Sequence, residues 1–249
     1  DVYKRQTCVT GITVLDTFNY FNGFGQGVIL ALIQVGGLGF LTLVTFINLI
    51  LGKKLGWSTV KIAASDLTDN ALETTPKRLF YEIVLYSFAI EFVGAVILAF
   101  VFVPDFGALG IFEAVFLSVS AFCNAGFDLM GRYEEYSSLT MFREDIVVNI
   151  TVVALILIGG IGFFVWDDIS VNKHHITKYQ LHTKLVLIAT GILVIFGTAA
   201  FYILENGNEL KDLPIHHKIS SSMFMAVTPR TAGFNTVDVA SMNPASKML

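Results

Sequence analysis

Two stretches of this chain, Ile146 to Trp166 between Asp145 and Asp167, and Leu185 to Leu204 between Lys184 and Glu205, carry no charged side chain. A helix rises 1.5 Å per residue, so about 20 apolar residues cross the hydrocarbon core of a bilayer. Each run matches one crossing. Thr17 to Gly52 is also uncharged, and Ile83 to Val103 has Glu91 as its only charge. The expected fold class is therefore an all-α membrane protein with four transmembrane helices.

Composition agrees, since 54% of the 249 residues are hydrophobic and 14% are charged, against roughly 25% charged in soluble domains. Sixteen Lys and Arg against twenty Asp and Glu leave a formal charge of -4, which offers no phosphate-binding surface and excludes a nucleic-acid partner. Cys8 and Cys123 lie far apart in apolar stretches. They read as packing residues, since no dense disulfide framework can be built from them. Asp1 to Gln6 is charged and precedes no cleavable apolar core, so no removable targeting segment is expected.

Two shorter uncharged runs, Ala114 to Phe127 and Ile219 to Pro229, have the length of re-entrant segments. Each leads into a glycine-containing loop. Non-helical backbone at membrane depth is tolerated only where protein or a water-filled cavity satisfies its polar groups, so two half-crossings imply a lined pathway. Basic residues follow the first and third spans: Lys53, Lys54, Lys61, Lys77, Arg78, Lys173, Lys178 and Lys184. Those loops should be cytoplasmic. The opposite loops hold Arg132, Arg143, Lys211 and Lys218 among several acids, so the half-crossings should open from the extracellular side of the plasma membrane.

A repeat of roughly 110 residues is visible. Val9-Thr10-Gly11-Ile12, Asn124-Ala125-Gly126-Phe127 and Thr231-Ala232-Gly233-Phe234 align, and Gly36-Gly37-Leu38-Gly39-Phe40 matches Gly159-Gly160-Ile161-Gly162-Phe163. The unit is spanning helix, half-helix, loop, spanning helix. It divides the chain into residues 1–6, which do not fit, 7–52 as the end of one unit, 53–78 as a cytoplasmic loop, 79–166 as a full unit, 167–184 as a second cytoplasmic loop, and 185–249 as the start of a third. The expected organisation is cut at both ends.

A dehydrated cation must recover its hydration from oxygen ligands, and carbonyls of an extended Gly-containing segment can form rings of them. A half-helix ending at midplane turns its partially negative C-terminus toward the cavity and favours cations over anions. A single loop of this kind could equally be an ordinary turn; three aligned copies favour the pathway. The pathway residues are then Val9, Thr10, Gly11, Asn124, Ala125, Gly126, Thr231, Ala232 and Gly233, acting through backbone carbonyls.

These residues, with Asp16, Gly25-Gln26, Ile33-Gln34-Val35, Ser120-Ala121-Phe122-Cys123, Asp128, Thr228-Pro229-Arg230, Asn235-Thr236 and Leu181-His182-Thr183-Lys184-Leu185-Val186-Leu187, resemble the Trk/Ktr/HKT superfamily of potassium transporters. The resemblance runs from Thr7 to the C-terminus and is nearest the bacterial Ktr branch. It implies four potassium-channel-like repeats around one pore, about two and a half of them present. It also implies potassium uptake, a homodimer in membrane lipid, and a cytoplasmic nucleotide-binding regulatory subunit. No cofactor is implied beyond the transported potassium ion. Sodium-permeable relatives often carry Ser where this chain has Gly11, so a sodium-permeable or sodium-coupled transporter is the alternative. The fourth loop and the gating segment of the family pattern are absent, which leaves open a non-conducting partner of complete subunits. Lys4-Arg5-Gln6 departs from the apolar half-helix that the pattern places there.

Other residues invite different chemistry. Glu91 inside a span should face protein or water, as a packed carboxyl or a functional one. Arg230 could set the field at the pore or tie a half-helix to its neighbour, and the tie is favoured. His174-His175 and His216-His217 lack metal-ligand spacing. Asp167-Asp168 and Glu134-Glu135 read as interfacial charges. Gly36-Gly37-Leu38-Gly39 follows no strand, so close helix packing explains it better than a dinucleotide fingerprint. An intramembrane enzyme would need converging nucleophile and base, and only Glu91 lies at depth. The chain is not expected to be an enzyme.

Overall fold

The computed structural model describes residues 16–38, 76–133, 137–172, 175–211, 213–237 and 241–248. The loop around Gly11, the end of the first span from Gly39, the cytoplasmic loop at 53–75, Glu134-Glu135 and His174 lie outside the described residues. What is described is helical: α1 Thr17–Tyr20, α2 Gly23–Gly37, α3 Pro76–Phe106, α4 Ala108–Phe122, α5 Ile146–Ile161, α6 Phe163–Asn172, α7 Leu181–Glu205 and α8 Ile215–Val227. There is no strand among the described residues.

Short polar side chains start several of these helices by accepting from otherwise orphaned N–H groups. Asp16 caps α1 through Phe18 and Asn19, Asn22 caps α2 through Gly25, and Asp145 caps α5 through Val147 and Val148. Gly107 turns the chain from α3 into α4 with φ of 65°. That corner folds α4 back along α3, and the pair stays close because two glycines leave room. A Cβ on Gly110 would lie 2.6 Å from the Phe102 carbonyl oxygen, and one on Gly94 would lie 2.6 Å from Ser118 Oγ.

The core runs through α3, α4, α5 and α8, joining Leu98, Phe102, Leu117, Phe122, Val152, Ile156, Phe224 and Phe234 in one buried cluster. The outer faces are equally apolar. Tyr81, Leu85, Phe88, Phe92 and Phe100 are exposed along α3, and Leu185, Ile188, Ile192, Ile195 and Ile203 along α7. Helices that are apolar all round belong in a bilayer. Tyr81–Phe106 and Leu181–Glu205 are each long and apolar enough to cross one.

The third expected span differs from its sequence reading. Ile146 to Trp166 reads as one straight crossing, but the helix breaks at Gly162, and α6 leaves α5 at 91°. Gly162 has φ of 92°, outside the range an L side chain adopts easily. The carbonyl of Ile158, released by the break, accepts from Trp166 Nε1 at 3.1 Å. Asp168 then ties α6 to the start of α7, accepting from Asn172 Nδ2 at 2.7 Å and from the Gln180 N–H at 2.9 Å. By length and composition, α5 and α6 reach membrane length only when taken together.

Candidate functional site

The two short uncharged runs lie largely in two short helices, α4 and α8. α4 ends at Phe122 and α8 at Val227, and each is followed by an expected loop. The helices begin earlier than the uncharged runs do, so α4 carries Glu113 in its body, buried and reached by Tyr133 Oη at 3.5 Å.

The loops share an unusual backbone. Asn124 and Gly126 have φ of 52° and 73°, and Thr231 and Gly233 have φ of 66° and 83°. In both, the first and third residues of the aligned triplet are left-handed, with an alanine between. Left-handed geometry costs glycine little and is tolerated by asparagine, but it is strained for a β-branched threonine. Such outliers persist only where their surroundings hold them, and they collect at functional sites.

The surroundings hold these. The Ala125 N–H donates to the Ser120 carbonyl at 2.8 Å, and the Phe127 N–H donates to Ser120 Oγ at 2.9 Å. In the other loop the Ala232 N–H donates to the Thr228 carbonyl at 3.1 Å, while Thr228 Oγ1 donates to the Phe234 carbonyl at 2.7 Å. A hydroxyl in the last turn of each half-helix thus fastens the phenylalanine that follows the glycine.

The residue before each triplet reaches back to the preceding spanning helix. Cys123 Sγ lies 3.8 Å from Glu91 Oε1 of α3, and Arg230 Nη2 donates to Thr190 Oγ1 of α7 at 3.3 Å. The tie anticipated for Arg230 is present. Glu91 is buried and held by Gln34 Nε2 at 3.0 Å, so this carboxyl faces protein.

Beyond the glycines the segments are joined to one another. Asn19 Nδ2 donates to the Gly131 carbonyl at 2.8 Å, which ties the start of the described chain to the strand-free loop after Gly126. The Leu139 N–H donates to the Asn235 carbonyl at 2.9 Å, and the Asn235 N–H to Ser138 Oγ at 3.1 Å. Arg143 pairs with the Glu209 carboxylate at 3.3 Å and also donates to its carbonyl. Glu205, buried at the end of α7, accepts from the Asn243 N–H and from Asn208 Nδ2, each at 2.9 Å. Sequence reading gave Glu205 no role, because a lone polar residue beside an apolar run carries no motif.

Asp128 sits among these joints, accepting from the Met130 N–H at 3.0 Å. Burial pushes its carboxyl up to about 6; the Met130 N–H opposes the shift and the neighbouring Asp16 carboxylate adds to it.

Two membrane-length helices, with two shorter ones that each end in a left-handed loop, fit a protein of the bilayer, and the family comparison agrees. The chain belongs to the TrkH family, described as cation transport proteins, which matches residues 3–249. It is 42% identical over 242 residues to the Ktr system potassium uptake protein B of Bacillus subtilis, covering 95% of this chain and 52% of that protein. It is 38% identical over 244 residues to the potassium/sodium uptake protein NtpJ of Enterococcus hirae, covering 97% and 52%. Against the Ktr system potassium uptake protein B of Vibrio alginolyticus it is 34% identical over 235 residues, covering 93% and 50%. The chain spans about half the length of the curated relatives it matches. The Trk/Ktr resemblance is thus established, and the family is one of cation transporters, not enzymes.

Proposed function

We propose that this chain forms part of a potassium-uptake pathway whose selective segment is built from backbone carbonyls of Val9-Thr10-Gly11, Asn124-Ala125-Gly126 and Thr231-Ala232-Gly233. The observation that carries this reading is the matched pair of left-handed residues in the two described triplets. Alternation of that kind can bring successive carbonyls to one side of a strand, where they replace the hydration shell of a monovalent cation. The half-helix C-termini add a negative field behind them.

In this reading the loops are entered from the extracellular face of the plasma membrane, and the basic loops at 53–78 and 173–184 lie in the cytoplasm. The complete subunit works as a homodimer in lipid with a cytoplasmic nucleotide-binding regulatory subunit, in keeping with relatives named as components of Ktr systems. The relative named for potassium/sodium uptake favours a second reading, in which sodium also passes or is coupled.

The test is rescue of a potassium-uptake-deficient bacterium at limiting potassium by the complete gene, with Gly126→Arg as the blocked control. Growth restored only by the unmutated gene is the expected result; growth with Gly126→Arg refutes the pathway. Comparing potassium and sodium uptake with and without Gly11→Ser separates the two cation readings.

A further inference from the structure

An acidic side chain at the centre of a membrane helix costs about 2.5 to 3.5 kcal/mol on insertion scales, so its retention calls for a task. Glu91 lies midway along α3 and is 3% exposed. Three helices meet at it. Gln34 of α2 donates Nε2 to Oε1 at 3.0 Å, Cys123 at the end of α4 brings its thiol to the same oxygen at 3.8 Å, and Ser118 of α4 donates Oγ to the Glu91 carbonyl at 2.7 Å.

Glycines clear the space for two of these contacts. Gly94, one turn beyond Glu91, admits Ser118 Oγ, and Gly37, one turn beyond Gln34, lies so close to Cys123 that a Cβ there would overlap the thiol. Cys123 directly precedes Asn124, the left-handed first residue of the loop triplet. The same position in the other described loop is Arg230, and it too is tied to the preceding spanning helix, at Thr190. A tie that recurs at equivalent positions with different chemistry points to a requirement for holding the loop, not to an accident of packing.

We infer that Glu91 is a positioning residue for the second glycine loop: its Oε1, oriented by Gln34, receives the Cys123 thiol and fixes the segment leading into Asn124-Ala125-Gly126. Among the described residues its other oxygen, Oε2, has no hydrogen-bond partner, so a single accepting oxygen performs the task. This inference rests on the proposed role of the loop as a potassium pathway.

The test uses the complete gene in the potassium-uptake-deficient host, measuring KM and maximal rate for potassium and the preference for potassium over sodium, normalised to protein in the membrane. Glu91→Ala removes the acceptor and is expected to lower that preference about tenfold, the worth of one buried acceptor serving two donors, whereas Glu91→Gln keeps an oxygen and stays within about twofold. Gln34→Leu and Cys123→Ala shift the preference in the same direction, and they carry the test if Glu91→Ala fails to reach the membrane. Unchanged preference in Glu91→Ala, or in both substitute variants, overturns the inference; so does a loss in Glu91→Gln as large as in Glu91→Ala. Gly126→Arg is measured alongside. If it still transports, the pathway reading has failed; if it blocks while the Glu91 set is unchanged, only the positioning role has failed.

Discussion

Four glycines that look alike in sequence are not alike in space, and substituting each by alanine separates packing from backbone freedom. Gly36-Gly37 and Gly159-Gly160 are aligned pairs. A Cβ on Gly36 meets nothing within 4 Å, and one on Gly160 meets only Asn124 Nδ2 at 3.5 Å, an ordinary contact. A Cβ on Gly159 would overlap the Phe122 carbonyl oxygen and approach its carbonyl carbon at 2.8 Å. Because the obstacle is backbone at the end of α4, no rotamer change relieves it, and α5 must back away from α4. Overpacking that moves backbone costs about 1–3 kcal/mol. At the upper end of that range the melting midpoint of a protein of 150–250 residues falls by roughly 6–12 °C, and that of the longer complete protein by less. The assay is thermal unfolding of the complete protein in detergent, followed by loss of the monodisperse chromatographic peak, with potassium uptake measured in parallel. Gly159→Ala is expected to lower both midpoint and uptake, since Phe122 is two residues from the Asn124 triplet. Gly36→Ala and Gly160→Ala should leave both within error. Equal tolerance of Gly159→Ala and Gly160→Ala would refute the claimed closeness of α5 to the half-helix end.

Two further outcomes follow from the joints beyond the glycines. Asp128 has a folded-state pKa above its ordinary value, so it favours the fold when protonated, and that stability is lost as pH rises through about 6. Asp128→Asn keeps the oxygen that accepts from the Met130 N–H; it should raise the melting midpoint at pH 7.5 and make no difference near pH 3, and a stabilisation that grows toward low pH would contradict the assignment. Arg143→Ala breaks the Glu209 pair and the bond to its carbonyl, which should cost about 1.5–3 kcal/mol in chemical unfolding; a change below a few tenths would show that the two loops are held together elsewhere.

The half-helices were legible in the sequence because charge is excluded from hydrocarbon and glycine punctuates the chain, and both signals are local. α4 and α8 accordingly end where Phe122 and Val227 give way to the triplets. The corner at Gly162 was not legible. An uncharged run ending in Gly-Ile-Gly reads equally as tight packing or as a break, and only the left-handed φ at Gly162 decides between them. The surroundings of Glu91 were hidden for a different reason: its partners Gln34 and Cys123 lie 57 and 32 residues away, and no periodicity links them. Sequence indicated that this acid needed cover, but the covering groups are set by tertiary packing.

The right-angled corner also has a consequence for the lipid around it. α5 has 16 residues, a rise of about 24 Å against a hydrocarbon core of about 30 Å. Its end therefore stops short, and α6 turns sideways with Phe163, Phe164, Val165 and Trp166 leading and Asp167 close behind. Were α5 to stand upright in a bilayer, the hydrocarbon core beside this corner would have to thin by several ångströms, at fractions of a kcal/mol per ångström of mismatch.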